Sequence, residues 1–277
     1  IAKRIGRPVK FAMDYTEELM AAEPRHPSSL RIKAGVKRDG TLTAWESEVY
    51  FASGGYAAHA PTPPLYIIGI REIAGPYIIP HVRTDAFQVY TNTTPCGFAR
   101  APGEYQGIFA GESHLDELAK AIGMDPFDIR LKNIVREGDA VPEGEVYQDI
   151  RLEETLRAAA DAAGYHTPKP ANVGRGIGIG HRSQGGGDAH VMLKVHADGR
   201  ITAGVSSFDP GPGTFTIVAQ AVAEELSVSA ERVEVSTYSS AEGAFDFGVG
   251  ASRGARVWSA AGYEAGKEAK GQLQRFA

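Results

Sequence analysis

Residues 30–44, LRIKAGVKRDGTLTA, decide the fold. Leu30, Ile32, Ala34 and Val36 alternate with mostly polar neighbours up to Asp39-Gly40, after which Leu42 and Ala44 resume the alternation. Period-two alternation marks half-buried strands, and Asp-Gly supplies the backbone conformations of a tight hairpin turn. Residues 191–205, VMLKVHADGRITAGV, repeat the device: Val191, Leu193 and Val195 alternate, Asp198-Gly199 follows, and Ile201, Ala203 and Val205 continue. The paired turns, DGTLTA and DGRITA, predict two similar α+β units, while Asp-Gly hairpins arising independently would leave the same trace.

Helical periodicity fills the space between the hairpins. Ile108, Leu115, Leu118 and Ile122 share one face of a helix expected from about Glu104 to Gly123, where glycine ends it. Asp125 caps the next helix, with Pro126 at its first position and Leu131 near its end. An Ala-rich helix is expected at Glu153 to Ala163, another at Phe215 to Leu226, and a long one from Ser252. Pro- and Gly-containing stretches at 141–148 and 167–173 flank the Ala-rich helix, so the chain is divided into units 1–150 and 151–277. Gly174-Arg-Gly-Ile-Gly-Ile-Gly180 lacks dinucleotide-loop spacing and reads as a closely packed strand.

Composition narrows the function classes. The 277 residues are 43% apolar and 23% charged, as in a globular protein, and 29 Lys+Arg against 34 Asp+Glu give a net charge of −5. No long basic run is present to neutralise a series of phosphates, which argues against nucleic acid as a partner. No stretch approaches the roughly 20 apolar residues of a membrane span, which argues against a membrane role. Cys96 is the single cysteine, so this chain alone supplies no disulfide and no cysteine-held iron–sulfur or zinc site. The eight histidines form no i, i+4 pair, and no metal ligands are assigned. Residues 1–7 lack a signal peptide's apolar segment, so a cytoplasmic protein is expected, or a periplasmic one if a signal precedes Ile1.

Three loops at helix entrances carry the candidate chemistry. Phe98-Ala99-Arg100-Ala101-Pro102-Gly103 would present a cation and free N–H groups to an anion, although a Pro-Gly turn with a solvated Arg explains the same residues. In Asp209-Pro-Gly-Pro-Gly-Thr214 the glycines would let backbone amides approach a phosphate; a strand-to-helix turn is the plainer reading. In Gly248-Val-Gly-Ala-Ser-Arg-Gly254 small residues and Ser252 would hold a second anionic group, or Ser252 is an ordinary cap. The chain lacks Gly-Lys-Ser/Thr, so none of these loops is a P-loop.

The stretch Gly97 to Asn133, GFARAPGEYQGIFAGESHLDELAKAIGMDPFDIRLKN, resembles a signature of the molybdopterin-binding large subunit of xanthine dehydrogenase/aldehyde oxidoreductase-type molybdenum hydroxylases. The earlier GRPVKFAMDYTEELMAAEPRHP, with its Arg-His-Pro, and the later PGPGT and GVGASRG are similar to other segments of that family, in the same order. The resemblance implies a fold of two mixed sheet-and-helix units like that family's molybdopterin-binding domains. It implies that Phe98, Ala99 and Arg100 lie near the dithiolene end of a molybdopterin, and that Gly211, Gly213 and Thr214 hold the pterin and its phosphate arm. Ala251 and Ser252 would face the metal's oxo side, and Arg25 would meet substrate.

The resemblance further implies molybdenum–molybdopterin, plain or as the cytosine dinucleotide, as cofactor. Oxidative hydroxylation of an aldehyde, aromatic or N-heterocyclic carbon with water-derived oxygen would follow, with [2Fe–2S] and FAD on other chains or domains. Partners would be an iron–sulfur subunit, an FAD subunit, the remainder of the molybdenum subunit and a small-molecule substrate. The loop bearing the family's general-base Glu has no counterpart here, so no catalytic residue is assigned. A non-catalytic cofactor-binding module, or half of a split molybdenum protein, is the alternative. Pro212 stands where many relatives have Gln, Gly254 where some have Ser, and Ala101 where the copper-containing carbon monoxide dehydrogenases have Cys, which speaks against that last activity.

Overall fold

The computed structural model describes residues 1–56, 68–140, 146–182, 185–239 and 241–276. Contacts group the chain into two compact units, Ile1–Arg182 and Ser183–Ala277. Part of the Pro/Gly stretch expected to separate domains, 141–145, lies outside the described residues.

The first unit opens with two short helices, α1 (Ala2–Ile5) and α2 (Tyr15–Ala21). A capping box starts α2: Glu17 N donates to Asp14 Oδ1 at 2.8 Å and Asp14 N to Glu17 Oε2 at 2.9 Å. The expected hairpin follows as β1 (Ser28–Val36) and β2 (Leu42–Gly54), antiparallel, with β3 (His81–Tyr90) added parallel to β2. Gly40 takes the left-handed φ of 85° that the turn requires. Sequence reading missed β3, whose pairing with β2 is parallel and bridged by 26 residues (55–80) instead of by a turn.

Helix α3 (Glu104–Ile122) ends at Gly123 in the left-handed region, as expected. It packs so closely on a 3-10 helix (Ile68–Ala74) that a Cβ on Gly111 would stand 2.3 Å from the Ile73 carbonyl oxygen. Then come α4 (Pro126–Asn133), capped by Asp125, and α5 (Leu152–Ala162), which lays Leu156 and Ala160 against a core of Leu42, Trp45, Leu115 and Phe127. Gly174–Gly180 is not a strand. The Ile179 N–H finds the Glu112 carboxylate at 2.8 Å instead of a neighbouring strand, and Ile177 and Ile179 insert into the core.

That carboxylate belongs to a buried ionic hub. Glu112 accepts from Tyr77 Oη at 2.7 Å and Arg130 Nε at 2.8 Å, while fully buried Arg130 also reaches Asp116 at 2.7 Å and the Pro126 and Glu112 carbonyls. Burial, then the Glu112 charge, pushes the Tyr77 phenol far above its ordinary range. Asn133, one turn on, accepts from Leu42 N at 2.9 Å and donates to the Gly40 and Ile129 carbonyls. The Arg and Asn of the Arg-Leu-Lys-Asn motif are therefore scaffold, tying α4 to α3 and to the hairpin turn.

The second unit repeats the sheet plan: β4 (Val191–Val195) and β5 (Ile201–Val205) form the second expected hairpin, and β6 (Val233–Thr237) lies parallel to β5. Helices α6 (Thr214–Leu226) and α7 (Gly254–Phe276) cover it, around Val218, Val222 and Trp258. The last helix starts two residues later than expected, because Ala251 and Ser252 adopt φ of 47° and 56°. Gly262 packs on Val218 and Ala221, and Gly266 on Val222 and Glu225, so the two helices advance in step and run parallel. Their N-termini therefore share one end of this unit.

Candidate functional site

In the first unit, the 97–103 loop is zipped to the Pro24-Arg25-His26 segment. Gly97 N donates to the Pro24 carbonyl at 3.0 Å and Gln106 Nε2 to the His26 carbonyl at 2.9 Å. Arg25 holds the carbonyl oxygens of Arg100 at 2.5 Å and Ala101 at 3.0 Å, with its guanidinium 4.5 Å from the Tyr105 ring centre. With those carbonyls engaged and Ala101 at a φ of 57°, the loop has a defined shape. Phe98 and Arg100 remain exposed on it, and Ala99 is half-buried. Behind the loop, buried Glu104 forms an ion pair with Arg182.

In the second unit, the loops before α6 and α7 meet at the common N-terminal end: a Cβ on Gly248 would stand 3.7 Å from Ser207 Oγ. Two aligned helix dipoles make this end favourable for negative charge. The amides of Gly211 and Gly213 are not free, as a phosphate cradle would need. They donate to Asp209 Oδ1 at 2.9 and 3.2 Å, and Phe215 N donates to Oδ2 at 3.4 Å. These bonds, led by that of Gly211, hold the Asp209 carboxyl below the usual aspartate range.

Open space lies above Gly211, Gly213 and Gly250, where a Cβ would meet nothing within 4 Å. Thr214, 2% exposed, keeps a buried Oγ1 with no partner among the described residues. An unsatisfied hydroxyl beside two helix N-termini, with glycine backbone open to approach, fits the phosphate-bearing arm of a ligand. Arg253, which sequence reading passed over in favour of Ala251 and Ser252, is 4% exposed and ion-paired to Asp246 at 3.3 Å. Its partners at 185–188 are distant in sequence, so no local pattern signals its burial.

Neither Glu104 nor Asp209 is placed as a free base, since one is paired with Arg182 and the other with backbone amides. Among the described residues no three His, Cys, Asp or Glu side chains cluster as metal ligands. No helix there is long and apolar enough to cross a membrane.

Comparison with known proteins places this arrangement in a class. One sequence model of the molybdopterin cofactor-binding domain matches residues 1–134 and a second matches 148–277. The chain is a pair of molybdopterin cofactor-binding domains. It belongs to the xanthine dehydrogenase/aldehyde oxidoreductase family of molybdenum enzymes. A putative molybdenum-binding subunit of xanthine dehydrogenase from Escherichia coli (strain K12) is 32% identical over 265 residues, covering 90% of this chain and 35% of the relative. Quinoline 2-oxidoreductase of Pseudomonas putida 86 shares the fold with a TM-score of 0.85 at 22% identity, over 100% of this chain and 38% of its own. The aldehyde oxidoreductase of Desulfovibrio gigas has a TM-score of 0.77 at 27% identity, over 96% of this chain and 31% of its own. The chain thus spans about a third of the length of the relatives it matches.

Proposed function

We propose that the chain supplies part of the cradle for a molybdenum–molybdopterin cofactor, plain or as its cytosine dinucleotide, in a longer oxidoreductase. The approach of the loop before α7 to the loop before α6, at Gly248 and Ser207, by the shared N-terminal end of the two helices is the observation that carries the reading. Gly211, Gly213 and Thr214 hold the phosphate-bearing arm, with the Thr214 hydroxyl gaining the partner it lacks; because Asp209 occupies the amides, approach is over the glycine Cα atoms. Ala251 and Ser252 border the same region, and Phe98, Ala99 and Arg100 are the cofactor contacts assigned to the first unit. Arg25 acts by shaping the Arg100 loop, and any contact with substrate uses donors left after its carbonyl bonds.

When bound, the cofactor supplies oxidative hydroxylation of aldehydes, aromatic or N-heterocyclic carbons. Iron–sulfur and FAD partners receive the electrons, and the protein is cytoplasmic. We assign 1–150 and 151–277 as the inherited halves; the two family matches, 1–134 and 148–277, support a division close to that boundary, while 151–182 packs with the first unit. The general base lies outside this chain.

Arg100→Ala in the full-length polypeptide tests the reading. Removing an exposed cation beside an anionic ligand forfeits about 1.5–3 kcal/mol of charge-assisted bonding. Pterin released on denaturation should fall tenfold or more while the melting temperature stays at the wild-type value. Wild-type pterin content in the variant defeats the assignment. By itself the chain should not sustain substrate-dependent dye reduction after reconstitution with cofactor, since a general base typically contributes about 10²–10⁴-fold.

A further inference from the structure

We propose that Arg253 is a positioning residue: its guanidinium ties the Gly248 carbonyl of the loop before α7 to the 186–188 segment and thereby turns the Val249 amide toward the ligand. The proposal rests on the cofactor reading above. The guanidinium, 4% exposed, donates from Nε to the Gly186 carbonyl at 2.8 Å and from Nη1 to the Gly248 carbonyl at 2.7 Å. Nη2 donates to the Asp188 carbonyl, and Nη1 also faces Asp246 Oδ1 at 3.3 Å. Asp246, its side chain 1% exposed, accepts from Gly248 N at 2.5 Å, so charge is balanced within the knot. The Arg253 amide donates to the Gly250 carbonyl at 3.0 Å, and Gly185 N to the Ala251 carbonyl at 2.8 Å.

A trans peptide points its C=O and the following N–H in opposite directions. With the Gly248 carbonyl held by the Arg253 guanidinium and the Gly250 carbonyl by the backbone amide of the same residue, the Val249 and Ala251 N–H groups face away from the knot. Neither donates a hydrogen bond among the described residues. Two free amides beside the α7 N-terminus make an anion-facing surface, of which the Val249 amide depends on the buried guanidinium without contact from it. Left-handed Ala251 and Ser252 complete the curve, a conformation that such residues adopt only when their surroundings impose it. Lysine cannot replace the planar fork, because a single ammonium does not reach carbonyls on both segments and the carboxylate at once.

The test uses the full-length polypeptide with Arg253→Lys, Asp246→Asn and, as a control for general destabilisation, Val222→Ala in the core of the same unit. Hydrogen exchange in peptides spanning 185–189 and 246–252 is measured together with released pterin. Arg253→Lys should speed exchange at least tenfold in both segments and lower pterin at least tenfold, with Asp246→Asn showing a smaller shift of the same pattern. Val222→Ala should loosen α6 and retain its pterin. Slow exchange in Arg253→Lys overturns the proposal, as does full pterin in a variant whose segments have loosened, or equal pterin loss in Val222→Ala. Absence of pterin from the wild type would sink the cofactor reading itself, and the exchange arm would then still decide whether Arg253 organises the loop.

Discussion

In the first unit the Gly40 carbonyl accepts from the buried side chain of Asn133 at 2.8 Å; in the second the Gly199 carbonyl accepts from exposed Arg232 at 2.9 Å. The turns are otherwise alike, with glycine φ of 85° and 82° and Asp39 or Asp198 accepting from the residue two further on. Each hairpin adds a parallel third strand, giving orders β1-β2-β3 and β4-β5-β6. The difference lies in where each unit buries its arginine. Arg130 sits in the core between α3 and α4, whereas Arg253 sits under the candidate ligand loops. The shared plan thus fixes the sheet, and the buried cation decides whether rigidity serves the scaffold or the site.

The sharpest way to break that comparison is Arg130→Met. It leaves Glu112 and Asp116 without their cation, and removing one partner of a buried pair costs about 3–5 kcal/mol. Denaturant unfolding should show the loss in the first unit, with hydrogen exchange around α6 unchanged. A variant of wild-type stability would mean that the hub is ornamental.

A smaller effect separates the two turn anchors. Asn133→Ala strands the Leu42 amide in a buried position, an expected loss of about 1–3 kcal/mol, whereas Arg232→Ala should stay within about 0.5 kcal/mol of wild type. Equal losses would show that both turns are pinned alike.

Both hairpins were legible because period-two alternation and Asp-Gly are local signals, as were α3 and α4, which carry glycine, aspartate and proline at their ends. The hub was not, since Arg130 and Asn133 look like surface residues of a short polar helix until Glu112 and Leu42 are brought to them. The loops at Arg100, Gly213 and Ser252 were legible as glycine-rich helix entrances. Their internal wiring was not: Arg25 turns its guanidinium onto carbonyls 75 and 76 residues away, and Asp209 takes amides that read as free.

Asp209 offers the smallest and most local test. The α6 entrance is closed by its carboxylate, while the α3 entrance at Gly103 has no side-chain cap, so only one of the two should respond to acid. The backbone amides hold the folded pKa of Asp209 below the ordinary 3.8. A depressed carboxylate contributes stability that is full above the unfolded value and fades as pH falls through the folded one. The amide protons of Gly211 and Gly213 should therefore titrate together, with a midpoint below the ordinary aspartate value. In Asp209→Asn they should be shifted at every pH and show no titration, with the Gly103 amide the same in both proteins. A midpoint at or above the ordinary aspartate value would show that these amides do not hold the carboxylate in solution, and would return them to the ligand as the free donors that the Pro-Gly-Pro-Gly-Thr sequence suggested.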